Sequence, residues 1–281
     1  METITTPTTV SLYRGDCLDV LPQLPKASVD LILADLPYGT TACAWDCPIP
    51  LDRLWAAYAR VMKPTTMIVL TAMQPFAALL IMSKIGWFRY EWIWEKPQGT
   101  NPLNAKMMPL RAHEHILVFG SERGLYQPQM EVGFRPVRGF VSERKVKVAQ
   151  SLFDDDEATE LITAGNTSGE VYGLPTSMHR ENAEGTRYPT TVLRVAPDRK
   201  TWHPTQKPEA LMRYLVRTYT KPGDLVLDNA MGSGTTGVAA VIENRAFVGI
   251  EQDRKYFRRA AERIQSSAHL FSEDLEFDVH E

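Results

Sequence analysis

The stretch that most constrains this chain runs from Leu225 to Glu243. Leu225-Val226-Leu227 is a solid apolar run ending in Asp228, and Asn229-Ala230-Met231-Gly232-Ser233-Gly234 follows it before a helix-forming run from Thr235 towards Glu243. Strand, glycine loop and helix in that order belong to an open α/β sheet, where small residues let the backbone approach a ligand at the helix N-terminus. About twenty residues past the first glycine, a second apolar strand, Ala246 to Ile250, ends in Glu251. An acid at that offset is where such folds hold a ribose. A P-loop is excluded because no Lys-Ser/Thr follows the second glycine. A dinucleotide fingerprint fits poorly, since the third glycine is displaced and Asp228 would oppose a pyrophosphate.

A ligand with a ribose and a cationic amine but no phosphate suits this set better, and S-adenosyl-L-methionine (AdoMet) has that chemistry. A second strand end stands far upstream. Val29 to Ala34 reads as a buried parallel strand because polar residues do not alternate along it, and it stops abruptly in Asp35-Leu36-Pro37-Tyr38-Gly39. Ligands of open α/β sheets bind outside the carboxyl ends of strands. A carboxylate there can accept hydrogen bonds, and a tyrosine beside it can stack on a flat substrate. Val10 to Tyr13, closed by Arg14-Gly15-Asp16, puts another acid at a strand end.

The spacing of apolar residues predicts helices over Leu51–Met62, Phe76–Ser83, Glu209–Tyr219 and Asp253–Gln265. Strands are expected at Met67–Leu70, Phe88–Trp94, Ile116–Phe119 and Pro189–Val195. From Ser121 to Arg187 the alternating rhythm stops. Arg135, Arg138, Arg144, Lys145 and Lys147 form a basic patch interrupted by Phe140, and Asp154-Asp155-Asp156-Glu157 form an acidic run. Such a stretch without core periodicity reads as an inserted region, able to track phosphates or simply to be a solvated surface. His113 and His115 flank Glu114, but no third ligand stands at metal spacing, so a polar structural cluster is expected and no metal.

At 281 residues with net charge −3, the chain carries no global basic excess, and any polyanion surface must be local. Its 3 cysteines, Cys17, Cys43 and Cys47, point to free thiols in a reducing compartment, and the longest apolar stretch, Phe76 to Met82, is too short to span a membrane. A cytoplasmic location is expected. The threonine-rich start reads as a loose tail, and the acidic segment beyond Ser266 as a poorly ordered one.

With both strand-end blocks placed, the sequence resembles the amino-group DNA methyltransferases of the permuted β class. Asp35-Leu36-Pro37-Tyr38 is similar to that family's catalytic motif, and Asp228 to Gly234 to its AdoMet-binding motif, with the catalytic block first as that class arranges them. The resemblance implies a Rossmann-like AdoMet-dependent methyltransferase fold, α/β with a mostly parallel sheet and circularly permuted motif order. Residues 1–120 would be the catalytic half, 121–187 an inserted target-recognition region, 188–267 the AdoMet-binding half and 268–281 an acidic tail.

It further implies that Asp35 and the Leu36 carbonyl accept the hydrogens of an exocyclic amine while Tyr38 stacks on the flipped base. Gly232 and Gly234 would line the cofactor loop, and Glu251 would hold the ribose hydroxyls. Asp16 would lie near adenine, with Asp228 and Lys207 near the methionine part. Leu36 departs from the family's usual proline, so its carbonyl is expected to matter and its side chain to be replaceable. The implied substrate is double-stranded DNA, in the setting of restriction–modification, with a homodimer as an assembly the family permits. Asp35, rather than serine, favours adenine N6. Cytosine N4, an RNA substrate, or a non-catalytic DNA-binding regulator that retains the fold are the alternatives.

Overall fold

Alternation along the central strands divides the core in two. In this computed structural model, which describes residues 9–39, 46–100, 102–134, 137–142, 178–182, 185–271 and 276–280, Leu31 and Leu33 of β2 (Val29–Ala34) face one apolar cluster. Ile32 and Ala34 face the other. A strand buried on both faces needs helices on both, and they are there. Helices α1 (Cys17–Val20), α2 (Leu51–Val61) and α3 (Phe76–Ser83) cover one side; α4 (Glu209–Tyr219), α5 (Thr235–Ile242) and α6 (Arg254–Phe271) cover the other. The helical spacing of Leu54, Trp55, Tyr58 and Val61 gives α2 one buried face. Each large aliphatic side chain buried this way contributes about 1.5–3 kcal/mol over leaving it in water.

The sheet has nine strands in the order β11-β1-β10-β9-β2-β3-β5-β4-β8. They are β1 (Thr9–Arg14), β2, β3 (Met62–Ala72), β4 (Phe88–Thr100), β5 (Arg111–Phe119), β8 (Val192–Arg194), β9 (Leu225–Asp228), β10 (Ala246–Glu251) and β11 (Glu276–His280). All neighbours run parallel except β5, which is antiparallel to both β3 and β4. The chain leaves β2 for β3 on one side and leaves β9 for β10 on the other, while β2 and β9 pair directly, Leu31 opposite Val226 and Ile32 opposite Leu227. That reversal is the topological switch point, where a crevice opens beyond the carboxyl ends of the strands.

The chain divides into two compact units, one made of residues 1–129 and 190–281 and the other of Met130–Pro189. Residues 121–129 belong to the first unit, because Gln127 donates its Nε2 to the carbonyls of Arg217 and Thr220 at the end of α4, at 3.1 and 2.7 Å. Within the second unit, β6 (Val137–Ser142) and β7 (Met178–Asn182) form an antiparallel pair that carries Arg138 and Phe140 on its first strand. Cys43, the rest of the basic patch (Arg135, Arg144, Lys145, Lys147) and the Asp154–Glu157 run lie outside the described residues.

Two expectations are corrected. Helix α6 continues to Phe271, and Glu276–His280 is no loose tail but an edge strand parallel to β1, with Phe277 against the core and the His280 ring stacked on Tyr13 at 4.4 Å. Strand β3 starts at Met62, five residues before the expected Met67, so Lys63-Pro64 lies inside it. Among the described residues no helix is long and apolar enough to cross a membrane.

Candidate active site

The crevice at the switch point is a cleft of about 840 Å³. Asp35, Leu36, Pro37, Tyr38, Asp16, Lys207, Asp228, Gly232 and Glu251 all line it. Gly234 does not. It caps α5 in the left-handed conformation (φ +73°), and a Cβ there would stand 3.0 Å from Cβ of Ala260. It lets α5 and α6 pack closely, and the glycine of this loop that opens on the cleft is Gly232 (φ +45°).

The β2 side of the cleft is built on side-chain donors. Asp35 Oδ1 accepts the Tyr38 hydroxyl at 2.6 Å and the hydroxyl of Thr71 on β3; Oδ2 accepts Nζ of Lys207 at 2.5 Å. A carboxylate offers about four lone pairs, so with these three filled, one on Oδ2 stays open to a ligand. Burial first, then the charges of Asp35 and Glu114, raise the Tyr38 phenol well above its ordinary value, so it remains a donor. The Tyr38 ring leans on Phe76 at 5.3 Å. Leu36 is only 3% exposed and packs in the α1–α3 cluster, so its side chain also serves the core.

Lys207 lies between two carboxylates. Its ammonium bonds Asp35 and stands 3.5 Å from Oε2 of Glu114, whose Oε1 takes Nζ of Lys96 at 2.5 Å. Burial alone would lower the Lys207 amine, but the Asp35 and Glu114 charges outweigh it and raise it. Glu114, the middle residue of the His113-Glu114-His115 triplet, lines the cleft and is a site residue that the sequence reading does not single out. Strand alternation sends it to the face opposite its neighbours, and His115 pairs with Glu91 at 2.8 Å instead.

The β9–β10 side is built on backbone donors. Glu251 accepts the Gly232 N–H at 2.9 Å and the Asp253 N–H at 2.8 Å, and burial outweighs these in raising its carboxyl. Asp228 is pushed up to about 7, by burial first and by the Asp35 and Glu251 charges, against hydrogen bonds from Thr236 and the Ala230 N–H. Asp16 caps α1 through the Leu18 N–H at 2.8 Å. Asn229 accepts the Tyr58 hydroxyl at 2.5 Å, and Arg263 ties the loop to α6 through the Ser233 carbonyl at 3.0 Å. His203, against Tyr256 at 4.4 Å, is lowered, mainly by burial.

The cations that line the cleft, Lys96, Arg111 and Lys207, come from the β4–β5 hairpin and the segment before α4. The lining side chains contributed by the α1 start, the glycine loop and β10 are acidic or neutral. The carboxylates of Asp16, Asp228 and Glu251 disfavour a phosphate there and suit a ribose and a positively charged amine. The donor set therefore fits AdoMet.

Fold and cleft together define an AdoMet-dependent methyltransferase of permuted motif order. The sequence model of the DNA methylase family, the N6/N4 methyltransferases, matches residues 29–262, and the chain belongs to that family. Its cofactor is S-adenosyl-L-methionine. The chain is 26% identical over 277 residues to the DNA adenine methyltransferase YhdJ of Escherichia coli, covering 94% of this chain and 86% of that one. It is also 26% identical to the type II methyltransferase M1.MboII of Moraxella bovis, over 89% and 94% of the two chains. The fold is shared with a crystal structure of an M1.HpyAVI–SAM complex (23% identity, TM-score 0.58, 90% of this chain and 99% of that one). It is shared too with the cytosine-N4-specific PvuII DNA methyltransferase (16%, TM-score 0.57, 98% of each).

Proposed function

We propose that this enzyme methylates the N6 amine of adenine in double-stranded DNA, with Asp35 and the Leu36 carbonyl as the acceptors of the amine hydrogens. The observation that carries the reading is Asp35 itself. Three donors fix it at the end of β2, beside β9, and leave one lone pair of Oδ2 open to the cleft. An aromatic amine is a poor nucleophile because its lone pair is delocalised into the ring. Two acceptors placed on its hydrogens favour a pyramidal nitrogen whose lone pair points away from them. Tyr38 and Thr71 hold Asp35 in place, and the Tyr38 ring lines the cleft where a flat base can stack, worth about 1–3 kcal/mol. Extruding the base costs a few kcal/mol, which that stacking offsets.

When bound, AdoMet supplies an electrophilic methyl group on a good leaving group. Glu251 would hold its ribose hydroxyls, Asp228 and Asp16 would face its cationic and adenine parts, and Gly232 would let the backbone approach. Lys207 is assigned to Asp35 rather than to the methionine part, because that is where its ammonium bonds. The rest of the chemistry is positioning and oriented dipoles. The Met130–Pro189 unit is the proposed target-recognition region, and the cytoplasm the proposed location.

The test is labelled AdoMet with mixed-sequence duplex DNA, followed by nucleoside analysis. N6-methyladenine is expected; N4-methylcytosine would move the assignment to the other base, and no incorporation would favour a non-catalytic binder. Asp35→Ala is expected to lower methyl transfer by on the order of 10³-fold with cofactor binding retained. Near-full transfer by that variant would overturn the role of Asp35.

A further inference from the structure

The His113-Glu114-His115 triplet leaves one group unexplained by the reaction as described. Glu114 is buried at 7% exposure, lines the cleft, and ends in an oxygen, Oε2, with no hydrogen-bond partner among the described residues. We propose that Glu114 is a positioning residue for methyl transfer, acting through Lys207 to hold the Asp35 carboxylate in its accepting orientation. The proposal rests on the reading of Asp35 given above.

The geometry is a chain of alternating charge, Asp35–Lys207–Glu114–Lys96, with contacts of 2.5, 3.5 and 2.5 Å. Each element supplies one link: the turn after β2, the segment leading into α4, β5 and β4. Lys96 is fixed in turn by the Trp94 ring, 4.9 Å from its Nζ. Lys207 therefore does not lean on Asp35 alone. Without Glu114 its long flexible side chain would have one anionic anchor, and the hydrogen bond that aims Oδ2 would lose its backing. The 3.5 Å gap at Oε2 is an ion pair without a hydrogen bond, so Glu114 acts on Lys207 through charge and placement.

The groups facing the Lys207 amine are Asp35 and Tyr38 from the turn after β2, Glu114 from β5 and His203 from its own segment, with Lys96 behind Glu114. Two anions oppose the burial that would discharge the amine. Removing one leaves burial less opposed, so Lys207 gives up its proton at lower pH. A neutral Lys207 can still donate, but it no longer fixes the carboxylate by charge. The basic limb of the kcat–pH profile must then move to lower pH. A residue that only supports the fold would not move it.

The experiment uses the full-length enzyme with AdoMet and duplex DNA, comparing wild type, Glu114→Gln, Glu114→Asp and Asp35→Ala. Glu114→Gln keeps the size and the bond to Lys96 but removes the charge. It is expected to lower kcat by on the order of 10²-fold, to leave the KM for AdoMet unchanged, and to shift the basic limb downward. Glu114→Asp restores the charge on a shorter arm, so it is expected to return the limb to its wild-type position with kcat between the other two. Wild-type kcat and pH profile in Glu114→Gln would overturn the proposal. So would a loss shared equally by kcat and AdoMet binding with an unmoved limb. If Glu114→Gln does not accumulate as folded protein, Glu114→Asp decides: reduced kcat with an unchanged KM for AdoMet supports the proposal, and wild-type kcat, or a loss shared equally with AdoMet binding, overturns it. An inactive Asp35→Ala beside an unaffected Glu114→Gln sinks only the role of Glu114, whereas an active Asp35→Ala sinks the reading on which it rests.

Discussion

The two sides of the cleft both present carboxylates, but they hold them by different means. On the β2 side Asp35 is gripped by side chains from three other places in the sequence, two hydroxyls and an ammonium. On the other side Glu251 and Asp228, at the ends of β10 and β9, and Asp16, after β1, each accept backbone N–H groups, mostly from two residues further along the chain. Backbone dipoles are fixed by the fold but carry no full charge, so burial wins, and Asp228 and Glu251 drift towards neutrality. A buried lysine between two anions does the opposite and keeps its charge. One side keeps a constant buried charge at Lys207, and the other holds acids that a cationic ligand would ionise on arrival.

The contrast can be broken most forcefully at Lys207. Lys207→Met strands Asp35 and Glu114 without a shared cation, and is expected to lower stability by about 3–5 kcal/mol in chemical denaturation and to remove most methyl transfer. A variant as stable and active as wild type would show that the charged grip is ornamental. On the other side, Glu251→Gln keeps a hydrogen-bonding group but loses the anion. AdoMet affinity measured by calorimetry is expected to weaken about 10- to 100-fold, as loss of a charged hydrogen bond of about 1.5–3 kcal/mol predicts, with kcat at saturating cofactor little changed.

A smaller effect sharpens the boundary of the site. Gly234→Ala forces a side chain into the left-handed region and against Ala260. A cost of about 1–2 kcal/mol in thermal unfolding is expected, with AdoMet affinity retained; a selective loss of affinity would return Gly234 to the binding loop. The mildest change is in pH dependence. Asp228 holds its proton up to about 7 when folded and releases it near 3.8 when unfolded, so its contribution to stability is present at low pH and is lost as pH rises through 7. A cationic cofactor prefers the ionised form, so AdoMet affinity should rise over that same window. Asp228→Asn should flatten that rise, read by titration on either side of neutrality.

What was legible in the sequence follows from what is local. Strand ends, the glycine loop and the acid of Glu251 are written in consecutive residues, and all of them mark the cleft except Gly234, whose left-handed cap gave no sign of which neighbour it served. The distant partners of Asp35 were not legible, because Thr71 and Lys207 reach it through strand pairing and long connections, and Glu114 stands one link further on, against Lys207. Glu114 did carry a signal: on a strand its face is opposite that of His113 and His115. Glu276–His280 carried one too, since Phe277 and Val279 alternate with polar residues at the period of a strand, but the acids around them disguised it as a tail. Leu36 misled in the other direction. Comparison with a proline motif drew attention to its carbonyl, while its side chain was serving the core.

The pairing of β2 with β9 has a consequence for how the enzyme comes into being. The bonds that close the site join Tyr58 to Asn229, Asp35 to Lys207 and the Leu225 N–H to Asp30, across 171, 172 and 195 positions of chain. During synthesis β2 must wait, with the backbone groups of one edge unpaired, until the last third of the chain has been made. Catalytic competence therefore arrives late and all at once. An incomplete chain holds an acceptor with no cofactor loop beside it, and assembly is governed by the slow search that such distant contacts impose.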